Sequence, residues 1–516
     1  MRSDLRTHKV YSFRGGLDVK TSPLELANTP KLQSRVTLAN NIVYPVTGGA
    51  SKRLDRTVIT TVSLGASVQI TGGIQLRLSS GTNRVIVGTN DGRLVRVDTD
   101  GTTTNLATGL TAGTRWAFCQ YNDLAIACNG ADPPRKSDGT AAGTAALGGT
   151  PPATGTVPAA HGNRVFMLDA TQRSRLSWCA LNNEENWTAA GDAGSILVSA
   201  NDGTNAVGLV PSIGELVTLK GRRPYRLQGT SPATFALPNL VPAAGSIGAI
   251  SQAACFFALN DVWWLSTAGV HTLATTQKFG DLTEAFISEE IDPYFRPATA
   301  LQVSLHRLNL AAAVYDQQNN RVLVAVDTND DQQNDLFLVY DTALSAWSVW
   351  PSFIGTAAMW PVYNATNGLT EIWTGGYDGH VRVLNRDVAT NAIDGHMRHV
   401  SNFNTPGIEK SPRHLFVYTT EEGNITLTVT VNYDFGLSGG QTYSISMLGN
   451  SHTLGVNWTL GVDPLGAQAQ IVKRLNVSGT GEYIETGFRN QNAGQSFTVL
   501  GYEYLWRPRR LVRRAS

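Results

Sequence analysis

Residues 83–98 read NRVIVGTNDGRLVRVD. A β-branched run, Val85-Ile86-Val87, leads to a turn dipeptide, Asp91-Gly92, and a second apolar run returns from Leu94 to Val97. Asp-Gly supplies the positive φ that a two-residue hairpin requires. The opening of this stretch recurs: Asn or Gly, a charged residue, then a short apolar strand. It returns as Asn122-Asp123-Leu124, Asn163-Arg164-Val165, Gly214-Glu215-Leu216, Asn260-Asp261-Val262, Asn320-Arg321-Val322 and, with Thr in the lead, Thr370-Glu371-Ile372, at an average step near 48 residues. LSTAGVHTL (265–273) and TGGYDGHVRVL (374–384) repeat the return turn. Each unit is a small antiparallel sheet with too little apolar surface to stand alone. A period of about 40–50 residues built from such sheets predicts a β-propeller. Seven beats predict about seven blades, or six if one beat is half of a long blade. The stretch NNIVYPVTGGASKRL (40–54) carries no beat and is expected to close the ring by pairing into the last blade, since an open ring exposes a sheet edge.

Working outward, the expected organisation is an irregular N-terminal arm over 1–38 and the propeller over 39–404. Within the propeller, 140–160 contains little but Gly, Ala, Thr and Pro and reads as a surface loop. GDLTEAFISEEIDPYFR (280–296) reads as a helical insertion capped by Asp281 and ended by Pro293. After about residue 405 the beat stops and longer alternating strands begin, as in HLFVYTTEEGNITLTVTVNYDFG (414–436). They predict an antiparallel β-sandwich-like domain over 405–506, followed by a basic tail, 507–516. The fold class is all-β.

Composition agrees. Charged residues are 16% of 516, against about 25% in an average soluble domain, and Gly is 51. These values exclude a coiled coil, a helical solenoid and a disordered chain. With 41 Lys+Arg against 40 Asp+Glu, no net field draws nucleic acid or membrane. The four cysteines are scattered without a CxxC pair and read as buried free thiols. The N-terminus lacks an apolar signal core and no apolar run is long enough to cross a membrane, so cytoplasmic synthesis is expected.

The search for chemistry returns little. No Walker loop, HExxH, GxSxG or GxGxxG occurs. Glu284, Glu289, Glu290 and Asp292 read as a solvated helix face. His396 and His399, three apart in a strand-rich segment, point to different faces. His271 and His380 hold equivalent hairpin positions but no acid is matched to them. Trp263, Trp264, Trp347, Trp350, Trp360 and Trp373 read as core. No catalytic, cofactor-binding or metal residue is assigned, and the protein is expected not to be an enzyme. Two charge features remain. Residues 1–60 carry 10 Lys/Arg against 4 Asp/Glu, with apolar side chains Phe13, Leu17, Leu24 and Leu26 spaced along an irregular stretch. The last ten residues hold Arg507, Arg509, Arg510, Arg513 and Arg514 without an acid. Each terminus reads either as a solvated end or, more sharply, as an assembly arm that docks on an acidic patch of a neighbouring subunit or on phosphates.

The N-terminal stretch also carries Gly15-Gly16-Leu17, Ser22-Pro23, Asn40-Asn41 and Gly48-Gly49 leading to Lys52-Arg53. Together with IGELVTLKGRRPYRLQG (213–229), residues 163–188 and the stretch from Arg474 to Arg510, it resembles the tail nozzle (tail hub, or packaged-DNA stabilisation) proteins of short-tailed bacteriophages. That resemblance implies a structural virion protein: a propeller body assembled as a sixfold ring below the portal and adaptor. Tail fibre proteins would be neighbours, and genomic DNA would pass through without sequence-specific binding. Its place would be the virion tail, after synthesis in the host cytoplasm. A near-neutral subunit suits a DNA conduit, because affinity grows with the number of phosphates neutralised. The readings that compete are a carbohydrate-binding or carbohydrate-cleaving propeller for host-surface recognition and a kelch-like interaction scaffold.

Overall fold

The computed structural model describes residues 5–511, apart from 46–47, 230, 236–246, 276–281, 298, 352–354, 388–390, 423–424 and 449–469. The chain forms two compact units. The first takes Met1–Arg56, Leu338–Pro351 and Asn385–Ser516; the second takes Thr57–Phe337 and Ser352–Leu384.

The second unit is a seven-bladed β-propeller. The first strands of the blades are Ile70–Arg77, Ala117–Tyr121, Gly155–His161, Ala206–Ser212, Cys255–Ala258, Ala312–Asp316 and Thr356–Asn364. Each packs on the next, and the seventh packs back on the first, so the ring closes. The beat found in the sequence marks the same place in every blade: the first hairpin turn and the start of the second strand. Asn122, Asn163, Gly214, Asn260 and Asn320 all sit there with positive φ, the conformation that Asn and Gly tolerate best. Apolar strands then pack blade against blade. Val85, Val87, Val95 and Val97 of the first blade meet Trp360, Trp373, Val381 and Val383 of the seventh. Phe166, Leu168 and Trp178 of the third meet Leu209, Leu216 and Tyr225 of the fourth. Each such buried side chain contributes on the order of 2 kcal/mol. Gly73 is required by this packing, because a Cβ there would lie 2.5 Å from the Trp360 ring.

Closure differs from the expectation by a few residues. The outer strand of the seventh blade is Asp55–Val58, not the 40–54 stretch. The amide of Ile59 donates to Val381 O at 2.8 Å, and the amide of Val381 donates to Thr60 Oγ1 at 3.2 Å. The earlier stretch is already occupied: Ile42–Val43 pairs with Ala50–Lys52, which pairs with Thr498–Leu511 in the first unit.

Two further expectations are corrected here. Residues 140–160 are not a loop. Thr144–Ala146 is the fourth strand of the second blade and Gly155–His161 opens the third. An outer strand needs backbone pairing and little side-chain burial, which a Gly/Ala/Thr stretch provides. Residues 280–296 are not a helix. Leu282–Phe286 is the fourth strand of the fifth blade, and only a 3-10 segment follows, Glu289–Phe295, with non-helical φ/ψ at Ile291. A free sheet edge beside a short segment outcompeted the helix; the proposed cap, Asp281, lies outside the described residues.

The first unit is an antiparallel sandwich drawn from all parts of the chain, so it does not simply follow the propeller. One sheet runs Leu38–Asn40, Gly395–Ser401, Ile484–Asn490, Thr426–Tyr433, Ser438–Ser446, with Ala346–Pro351 beside Leu38–Asn40. The other contains Ile471–Asn476, Ile408–Thr419 and Thr498–Leu511. Alternate residues face inward: Leu427, Val429, Val431 and Tyr433 from one sheet, Leu415, Val417, Tyr502 and Tyr504 from the other. Thr486 Oγ1 and Tyr504 OH join the sheets at 2.9 Å.

The described part of the expected N-terminal arm, residues 5–38, belongs to this sandwich and is not an irregular arm. Arg6–Val10 pairs antiparallel with Thr498–Leu511, from Arg6 opposite Trp506 to Val10 opposite Tyr502. Ser22 caps the helix Pro23–Asn28, its Oγ accepting from the Glu25 amide at 3.2 Å. The boundary expected at 404/405 also moves, since 338–351 and 385–404 build the sandwich.

Candidate functional site

The starts of the inner strands converge on the propeller axis and enclose a cavity of about 520 Å³. Every blade contributes, from Thr71 in the first, Arg115 in the second and Thr156 in the third to Ala358 in the seventh. This follows from the fold. The connector into each blade delivers its first strand to the axis, so residues just before those strands line one funnel.

Most of the lining is small or apolar, including Gly72, Ala117, Phe118, Ile250 and Met359. Three lining side chains are charged: Arg115, Asp169 and Arg173. The Arg115 guanidinium donates from Nη1 to Asn309 O at 3.2 Å and from Nη2 to Ala357 O at 2.9 Å. It therefore bonds to the backbone of the sixth and seventh blades from a connector into the second. Burial pushes its pKa down, with the Tyr377 phenol opposing. Burial pushes the Asp169 carboxyl up, but hydrogen bonds from the Thr171 hydroxyl and amide and from Thr154 outweigh it and hold it below the usual range. Arg173 is exposed, its Nε donating to Ala170 O at 3.2 Å. Gln252 Nε2 donates to Thr156 O at 3.2 Å. Burial raises the Cys255 thiol, which donates to Ser251 O. The funnel thus offers donors and positive charge among small and apolar side chains. Among the described residues its one carboxylate, Asp169, already accepts from two hydroxyls and an amide.

The residues expected to form arms are elsewhere. Phe13 is fully buried, stacked 6.5 Å from Tyr502 and edge-on to His399 at 6.2 Å. Leu17 and Leu26 are buried, while Leu24 is exposed. The apolar spacing was therefore a docking pattern whose partner is the chain itself. Arg507 and Arg509 belong to the strand Thr498–Leu511; Arg507 is half-buried and Arg509 exposed. The Arg510 side chain, Arg513 and Arg514 lie outside the described residues. His271 is buried against Trp264 with Nε2 2.9 Å from Ser266 Oγ, and His380 Nδ1 lies 3.0 Å from Thr60 Oγ1. His399 is in the sandwich core. Among the described residues, no three His, Cys, Asp or Glu side chains gather to hold a metal ion. Arg115 was missed from the sequence. Its only signal is a lone cation beside Trp116 at the start of an inner strand.

No protein-family model matches the chain, and no curated protein matches it. Solved structures similar to it include YCF48 from Cyanidioschyzon merolae, at 10% identity and TM-score 0.42, covering 64% of this chain and 98% of that one. Another is described as YCF48 bound to D1 peptide, at 10% identity and TM-score 0.40, with 64% and 99% covered. A third is the computationally designed Ika8 protein, at 11% identity and TM-score 0.37, with 64% and 99% covered.

Proposed function

We propose that this protein is a structural subunit of a short-tailed phage tail, forming a nozzle-like ring through which DNA is retained and released, with no enzymatic activity. One observation carries the reading: the N-terminal residues that bear the family resemblance, between Gly15 and Arg53, help build the sandwich, while the stretches 163–188 and 213–229 lie in the third and fourth blades. Gly16 adopts φ +64° where a Cβ would lie 2.7 Å from Ala346, and Ser22 caps the N-terminal helix. Asn41, at φ +54°, accepts from Arg53 Nε at 2.8 Å and donates to Asp394 O at 3.0 Å. Lys52 is buried with its Nζ on Asn490 Oδ1 and Asn492 O. A motif whose members each hold the framework supports a shared architecture better than a shared surface peptide would. The near balance of 41 Lys+Arg against 40 Asp+Glu also suits the wall of a conduit.

Mass measurement and negative-stain microscopy of the purified protein test the proposal. The expected result is a closed ring with about six times the 55.4 kDa of one chain. A strict monomer at high concentration, unable to join tails in a complementation assay, would overturn it. Glycan hydrolysis lost on substitution of one carboxylate would favour the carbohydrate reading.

A further inference from the structure

We propose that the propeller funnel is a binding site for a small ligand bearing an oxyanion, a carboxylate or a phosphate, with Arg115 as its principal contact and Arg173 at the rim. The proposal concerns one chain and does not depend on assembly into a tail.

Arg115 is half-buried in the lining and makes no ion pair among the described residues. A charge removed from water is retained only with partners that offset the lost hydration. The two backbone carbonyls it meets use two of the five N–H donors of a guanidinium. They hold the planar group and leave three donors, enough for two oxygens of one anion. Among the described residues the one carboxylate of the lining, Asp169, is engaged by Thr154 and Thr171 and forms no ion pair with either arginine. Two cations therefore face one occupied anion, and the funnel is complementary to negative charge. Its volume falls within the range of sites for small organic ligands. The apolar side chains of the lining, Phe118, Ile250 and Met359 among them, suit the body of such a molecule, and the side-chain amides of Asn205 and Gln252 can meet its polar groups.

The test uses the full-length protein and calorimetric titration at low salt. The probes are inorganic phosphate, citrate and glucose 6-phosphate, with glucose as the neutral control. The expected result is saturable binding of at least one anion, weakened by salt, and none of glucose. Whether phosphate or citrate binds decides which oxyanion the site takes. Arg115→Gln is expected to weaken binding about ten- to hundredfold, and Arg115→Lys by less. Arg173→Gln, at an exposed position, is expected to weaken it a few-fold with unchanged melting temperature. Should the Arg115 variants fail to fold, phenylglyoxal modification of wild-type protein, mapped by mass spectrometry, reads the same site: the ligand should protect Arg115. No binding by any anion up to about 10 mM overturns the proposal. So does equal binding by the folded Arg115→Gln protein, absence of protection at Arg115, or equal affinity for glucose and glucose 6-phosphate.

Discussion

At the scale of single residues, the sandwich core carries titratable groups that a sequence reader places at the surface or leaves unassigned. His8 Nε2 lies 2.9 Å from Ser401 Oγ, and the ring stacks on Phe403 at 4.5 Å. His399 donates from Nε2 to Gln33 O at 2.7 Å and accepts at Nδ1 from Tyr502 OH at 2.6 Å. Burial, with the charges of His399 and Lys410 adding to it, pushes His8 down to about 3. Burial pushes His399 down to about 4 against the opposing Gln33 carbonyl bond. Unfolded imidazoles titrate near 6.5. Below that pH the unfolded chain takes up protons that the native chain refuses. The stability is complete above about 6.5 and is lost as pH falls toward 4, by about 1.4 kcal/mol per pH unit for each histidine. Denaturant midpoints of the sandwich at pH 7.5, 5.5 and 4.5 should fall accordingly, and His8→Phe should flatten the slope. An unchanged midpoint across this range would show that both rings are solvated. None of this was legible beforehand, because a histidine in an alternating segment does not reveal which face is covered. Arg115 escaped for the same reason: its meaning lies in carbonyls supplied by distant blades.

At the scale of elements, legibility followed locality. The first hairpin of each blade was readable because Asn or Gly at positive φ and the apolar strand after it are adjacent in sequence. The outer strands were not readable, since Thr144–Ala146 and Asp55–Val58 are defined by the edge they join and carry little apolar signal of their own. The N-terminal segment shows the converse error. Its sparse apolar spacing reads as docking on a partner, whereas Arg6–Val10 pairs with the chain's own strand Thr498–Leu511 and Phe13, Leu17 and Leu26 are buried. Deletion of residues 1–35 therefore has a different expected outcome from removal of an arm. It strips five ladder positions from Arg6–Val10 and leaves a void where Phe13 was; losing that ring alone costs about 3–5 kcal/mol. Calorimetry or limited proteolysis should show the sandwich lost or strongly destabilised in the truncated protein. A truncated chain whose sandwich melts as in the full-length protein would restore the arm.

At the scale of the whole molecule, charge is the property that sets what can be held. With 41 Lys+Arg balanced by 40 Asp+Glu, no net field of the chain draws a duplex. A conduit benefits from this, because each phosphate gripped by Lys or Arg adds to the work of moving the genome. In the proposed ring, side-by-side packing of such subunits would rest mainly on apolar and hydrogen-bonded contacts, which salt screens weakly. Two outcomes follow for the assembled protein. Its mass should stay constant as sodium chloride rises from about 0.1 to 1 M, over which the Debye length shrinks from about 10 to 3 Å. It should also retain no random duplex DNA at micromolar protein and about 0.15 M salt in a gel-shift assay. If the ring falls apart with salt, its interfaces are charge-held and the basic termini regain a role in assembly. If it binds DNA tightly at that salt, the wall is a clamp, and release of the genome would require a separate step to detach it.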